Sequence, residues 1–221
     1  MREVASGVWK LSGMPPNAIN VFVVGDVLVD AATRHARRRI LRQLSGRQVS
    51  THVLTHAHPD HQGATHEVCE TLGIPLWCGE NDAEAAERPE LIRDLQPGAR
   101  INRVIWRVWA GPGHPVERRL HEGDEVAGFQ VLDTPGHSAG HVALWRESDR
   151  VLIAGDVLNS MNLITTLPGL HEPPGIFTPD PARNRESIKR IAALEPRVAC
   201  FGHGPVWTDP GKLVAFAERL P

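Results

Sequence analysis

At 221 residues the chain is long enough for one large core, and 24 basic against 26 acidic residues leave no electrostatic footprint for nucleic acid or an anionic membrane. No apolar run approaches the roughly 18 residues that cross a bilayer, and the start, Met1 to Gly7, lacks the apolar stretch of a secretory signal. Cys69, Cys78 and Cys200 include no C-x-x-C pair, which argues against a disulfide framework and for buried free thiols in a reducing compartment. A cytoplasmic protein is therefore expected, and its one compositional excess is 12 histidines.

Val8 to Leu11 alternates and is closed by the loop signal Gly13-Met14-Pro15-Pro16. Residues 19–24 and 27–30 are β-branched runs around Gly25-Asp26, a hairpin pattern with a two-residue turn. Thr33 is expected to cap a helix to about Leu44, with Arg34, Arg37, Arg38 and Arg42 on a solvated face. Residues 51–54 read as a strand, 64–73 as a helix stopping at Gly73, 74–77 as a strand, and 81–87 as a short polar helix before Pro89. Residues 101–109 alternate loosely and read as β. Three more strands are expected at 129–133, 141–145 and 151–154. The stretch 158–181, rich in Pro and Gly, shows no periodicity and has the length of a lid or binding loop. Pro181 opens a helix to about Leu194, followed by a strand at 197–201 and a last helix at 211–220. No repeat, linker or low-complexity tract divides the chain, so residues 1–221 are read as a single domain. Strands arrive in two batches, each followed by helices, which suggests two sheets packed face to face with helices outside.

The chemistry concentrates in Thr55-His56-Ala57-His58-Pro59-Asp60-His61, directly after an apolar strand. Imidazole and carboxylate are the side chains that hold zinc and its neighbours. His56 and His58 can point the same way in extended chain. Pro59 then turns the chain, so Asp60 and His61 leave in a new direction and one loop can serve two adjacent metal positions. Three further strand ends carry matching groups: His137 in a Gly-flanked turn, Asp156 after 151–155, and His203 between Gly202 and Gly204.

The series T-H-x-H-x-D-H, T-P-G-H-S-x-G-H, G-D and G-H-G resembles the metallo-β-lactamase fold superfamily, and most closely its glyoxalase II-like hydrolases. The resemblance runs from the hairpin ending at Asp30 to the C-terminal G-H-G. It implies an α/β fold, an αββα sandwich of two mixed sheets with the metals at one edge between them. It also implies that His56, His58 and His137 bind a first metal, that Asp60, His61 and His203 bind a second, and that Asp156 bridges the two. The all-nitrogen-and-oxygen set suits Zn²⁺, with Fe or Mn as other options. Two such ions, about 3.5–4 Å apart, lower the pKa of a shared water so that hydroxide attacks an ester, thioester or lactone carbonyl, with Asp60 orienting it and taking its proton. Asp30 matches an acidic position of the family, and is read either as a bond to a ligand histidine or as a plain strand-end turn. For Ser138 and His141, turn and packing roles around the ligands are favoured over direct catalysis.

Departures narrow the subfamily. A bridging Asp156 speaks against a true β-lactamase, and the absence of tyrosine against an acyl-homoserine lactonase. The chain ends soon after His203, without the longer basic region with which glyoxalase II holds glutathione. The alternative of a different class is a persulfide-dioxygenase-like oxidoreductase with a single iron. The substrate is expected to be a small molecule. Met161, Asn162, Leu163 and His171 follow Asp156 closely enough to be candidates for its pocket or for an ordinary surface loop. Trp106, Trp109 and residues 111–123 are candidates for an apolar wall, a homodimer contact or core.

Overall fold

The computed structural model describes residues 1–95, 97 and 100–221. The first batch of strands forms one mixed sheet whose spatial order follows the chain: β1 (Arg2–Ala5), β2 (Val8–Lys10), β3 (Phe22–Val24), β4 (Val27–Val29), β5 (Thr51–Leu54), β6 (Leu76–Gly79) and β7 (Val116–Leu120). The first four strands pair antiparallel, and β4 through β7 pair parallel. The 24–27 pairing confirms the two-residue hairpin, with Gly25 at φ 58°, a left-handed angle open to glycine at no steric cost. The second sheet contains β8 (Glu125–Val126), β9 (Phe129–Asp133), β10 (Val142–Arg146) and β11 (Val151–Gly155). Beyond a small hairpin of β12 (Asn159–Met161) and β13 (Pro168–His171), β14 (Val198–Phe201) joins that sheet parallel to β11. Its order is β14-β11-β10-β9-β8.

The central strands are apolar at nearly every position because both of their faces are covered. Phe22, Val24, Val27, Val29 and Val53 face Phe129, Val131, Leu144, Val151 and Ile153 across the space between the sheets. The alternate residues Val23 and Leu28 turn outward onto Ile40 and Leu44 of α1 (Arg37–Leu44) and Val68 of α3 (Thr65–Leu72), α2 being the short turn Pro59–Gln62 between them. Further along this face, Leu54 and Leu76 pack on Ala83 and Ala86 of α4 (Ala83–Glu87). α5 (Glu90–Leu95) and α6 (Arg100–Trp109) follow α4 in the chain. Leu152 and Phe201 pack outward on Ile188 and Ile191 of α7 (Pro181–Ala193) and Leu213 of α8 (Pro210–Ala217). The result is the expected αββα sandwich. Among the described residues no helix is long and apolar enough to cross a membrane, and the three cysteines are free and buried.

Four local expectations are corrected. Residues 101–109 lie in a helix, α6, rather than a strand. Val104, Ile105, Val108 and Trp109 recur at i, i+1, i+4 and i+5, a helical spacing that the short apolar run disguised. Trp106 and Trp109 are half-buried on it, and among the described residues neither joins a core cluster. Thr33 makes no side-chain cap; a short 3₁₀ turn, Arg34–Ala36, leads into α1 instead. The 158–181 stretch is not structureless, since the β12–β13 hairpin and a 3₁₀ turn at Gly175–Phe177 occupy much of it. Its strands are three and four residues long, too short to show a period. The strands β1 and β7 and the helix α5 had no expectation at all. β7 is edge-like and charged, with Glu117, Arg118 and Arg119 among its five residues.

The packing between the sheets sets a measurable scale. Ile153 is 1% exposed inside that layer, so Ile153→Ala should cost about 2–5 kcal/mol, read as a fall in the urea midpoint at unchanged m-value. Val104 is 57% exposed on α6, and Val104→Ala should leave that midpoint within experimental scatter.

Candidate metal centre

Parallel pairing of β4, β5 and β6, and of β11 with β14, brings their C-terminal ends to one edge of the sandwich. β9 ends at the same edge because Asp133 pairs with Val142, where β10 begins. Bonds across the edge close it. The Val142 amide donates to the Thr55 carbonyl at 2.9 Å, and the Asn20 amide to the Gly202 carbonyl at 2.8 Å. At this edge the structure brings together all seven side chains singled out as ligand candidates. His56, His58 and His137 each offer an atom within 4.8 Å of the others, as do Asp60, His61 and His203. Asp156 stands between the groups, with Oδ2 at 3.0 Å from His203 Nε2, 3.5 Å from His61 Nε2 and 3.6 Å from His137 Nε2.

The imidazoles are held from behind. His61 Nδ1 donates to Asp30 Oδ2 at 2.9 Å. The Thr55 hydroxyl gives its proton to Asp30, so its oxygen accepts from His56 Nδ1 at 3.0 Å. One buried carboxylate therefore orients a histidine in each group, one directly and one through a threonine. His137 Nδ1 meets the Thr178 hydroxyl at 3.1 Å, and His203 Nδ1 meets the Ala18 carbonyl. With Nδ1 committed outward, Nε2 faces inward. Nε2 of His56, His61 and His137 and Oδ1 of Asp156 are buried and lack any hydrogen-bond partner. Buried polar atoms without partners are costly and rare in native proteins, and four of them converging at one edge fit a divalent cation. Gly202 makes the room: a Cβ there would lie 2.0 Å from Asp156 Oδ1 and 2.5 Å from His61 Cε1.

Electrostatics divide the two groups. Burial and the neighbouring imidazoles push His56 and His137 well below the usual histidine range, and burial lowers His58 against the opposing pull of Asp60 and Asp82. Burial thus favours the neutral form of these three rings, the form that carries a lone pair for a cation. Burial also opposes charge on His61 and His203, but the carboxylates outweigh it. Asp156 and Asp30 raise His61 well above its ordinary value, and Asp156 with Asp60 raises His203 to about 10. Asp156 and Asp60 are correspondingly held low by those histidines, despite their own burial.

Of the supporting residues, Asp30 bonds a candidate ligand, as one of its two readings had it. The Ser138 hydroxyl donates to Asp82 Oδ2 at 2.7 Å. His141 accepts from the Asp156 amide through Nε2 at 3.0 Å while its Nδ1 donates to the Thr134 hydroxyl at 2.8 Å, so it positions the Asp156 backbone. Asp82 was missed. It is 2% exposed and accepts from the Ala57 amide at 3.0 Å, the Ser138 hydroxyl and the Gly140 amide at 2.7 Å. It thereby ties the loop of His56 and His58 to the loop of His137. Nothing in Glu80-Asn81-Asp82 marks it out, and Thr178 was invisible for the same reason. Met161, Asn162, Leu163 and His171 lie on or beside the β12–β13 hairpin, which hangs on His203 through the Ser160 amide at 3.0 Å. Asn162 Oδ1 accepts the Ile164 and Thr165 amides at 2.9 Å and so shapes the turn of that hairpin.

A fold with this edge and this set of donors is suited to hold metal ions between its two sheets. The family model of the metallo-beta-lactamase superfamily matches residues 14–203, and the chain belongs to that superfamily. It is 29% identical over 244 residues to the probable metallo-hydrolase YflN of Bacillus subtilis (strain 168), covering 99% of this chain and 92% of that one. It is 32% identical over 155 residues to the hydroxyacylglutathione hydrolase of Rhizobium meliloti (strain 1021), where the match spans 69% of this chain and 48% of that enzyme. The crystal structure of TTHA1623 in a di-iron-bound form is similar at a TM-score of 0.63 and 30% identity, covering 96% of this chain and 91% of that chain.

Removing Asp82 tests how far the centre depends on loop placement. Asp82→Ala should fold, yet lose about 10–100-fold in metal affinity, measured by competition with a chromophoric chelator. Unchanged affinity would show that the two loops hold their places without it.

Proposed function

We propose that this protein is a binuclear metal-dependent hydrolase acting on an ester, thioester or lactone of a small molecule. The observation that carries the reading is the position of Asp156, its carboxylate within 3.6 Å of imidazoles from both groups. His56, His58 and His137 are proposed to hold one cation, Asp60, His61 and His203 the other, and Asp156 both. Divalent cations held there supply an activated water near neutral pH and electrophilic stabilisation of a carbonyl oxygen. Zn²⁺ suits the donors best, and the di-iron form of the similar structure supports iron as the other option.

The chain's own residues supply the rest. Asp60 has a side chain 17% exposed, against 5% or less for Asp156, His61 and His203, so it is the carboxylate of its group that meets incoming solvent. Its Oδ2 lies 3.3 Å from His203 Nε2, and from there, held charged, it can accept a hydrogen bond from an attacking water and orient it. Asp30, through His61 and Thr55, keeps the imidazoles from swinging out of reach. The three cysteines take no part as nucleophiles: all are buried, and burial pushes the Cys69 and Cys200 thiols up to about 12. The likeness to a hydroxyacylglutathione hydrolase supports a thioester within this range of carbonyl substrates.

Protein purified without added metal should carry two transition ions per chain and turn over at least one member of a panel of thioesters, lactones and a chromogenic cephalosporin. Chelation should abolish that turnover and re-addition restore it. His58→Ala should abolish it too, with reduced metal content in a chain that still folds. A sample that holds no transition metal sinks the reading. One iron per chain, with oxygen consumed in the presence of glutathione persulfide, would replace it with an oxygenase.

A further inference from the structure

A separate set of metal-ligating side chains meets at the surface of the first sheet's helical layer. His66 and Glu70 are four residues apart on α3, so they sit one turn apart on the same helical face. His114 arrives from 48 residues after His66, in the segment that leads to β7, and its Nδ1 lies 3.2 Å from His66 Nδ1. The same atom is 3.9 Å from Glu70 Oε1, and one donor atom from each residue falls within 4.8 Å of the other two. The His114 side chain is 11% exposed and that of Glu70 65%. The cluster is therefore closed on the protein side and open to solvent on the other, leaving a position for water.

Two imidazole nitrogens facing each other at this distance share at most one proton, and a hydrogen bond between them leaves the carboxylate without a role. A cation engages all three donors. Burial, with help from the His66 ring and against the pull of Glu70, lowers the His114 pKa and keeps its lone pair available. Two imidazoles and one carboxylate suit Zn²⁺, Ni²⁺ or Cu²⁺ and do not suit Mg²⁺ or Ca²⁺, which prefer all-oxygen shells. We propose that His66, Glu70 and His114 form an additional site for a divalent transition cation, distinct from the centre at the sheet edge.

Its placement gives it a structural consequence. The His114 amide donates to the Ala86 carbonyl at 3.1 Å. Gly111 lies so close to Gly63 that a Cβ would be 2.0 Å from its carbonyl oxygen. A cation joining His114 to α3 thus pins the 110–114 segment against Gly63, which follows α2 and its Asp60 and His61.

The test is zinc content after equilibrium dialysis of the metal-loaded protein against micromolar free zinc, for the natural chain and for Glu70→Lys. Glu70 is on the surface, so this change puts a positive charge at the site without disturbing the core. The natural chain should retain one zinc per chain more than Glu70→Lys, and more than His114→Ala. The difference does not depend on how many ions the sheet-edge centre holds, so failure of one proposal is separable from failure of the other. Equal zinc content in the natural chain and Glu70→Lys overturns the site and leaves an imidazole–imidazole hydrogen bond in its place.

Discussion

The structure depends on a carboxylate that has been carried almost out of water. Asp156 is 3% exposed, and an isolated ionised carboxylate in such surroundings would be driven to take up a proton. Here His203 and His61 keep it charged in spite of its burial. Strand β11 delivers it there: residues 151–155 are buried on both faces, and the parallel pairing with β14 brings His203 to the same edge. Everything around Asp156 can be read as an answer to the problem of holding that charge, and a divalent cation is the most economical answer.

The rigidity of the centre comes from a layer of donors and acceptors just outside it. Asp30, Asp82, Thr55, Thr134, His141 and Thr178 contribute no atom to the two groups, yet each fixes a ring or a loop that does. Asp30 reaches His61 directly and His56 through Thr55, so the two groups cannot move independently. Asp82 joins a loop of the first sheet to a loop of the second. Because the centre lies between two sheets, its geometry depends on how the sheets are docked, and the apolar layer between them serves the chemistry as well as the stability.

Similarity to relatives and the local chemistry speak to different levels of description. Family membership accounts for the sandwich and for the edge at which the histidines gather. Outside that frame lie α5, α6 and the β12–β13 hairpin. These are also the segments least like regular core elements, and Val104 and Val108 remain exposed on α6.

That division explains what could be read from the chain alone. The hairpin at Gly25-Asp26, the strands 51–54 and 129–133, and the four strand ends bearing His and Asp were legible, because period and turn chemistry are local. The histidine spacing of residues 56–61 likewise belongs to one loop and its backbone. The identity of α6 was not legible, since a short amphipathic run of aromatic and β-branched residues satisfies either period until its neighbours choose. Asp82 and Thr178 were hidden for a deeper reason: their partners lie 25 to 58 and 41 residues away, respectively. A carboxylate or hydroxyl acquires such a role only when sheet order brings distant loops together, and that order is a property of the folded whole.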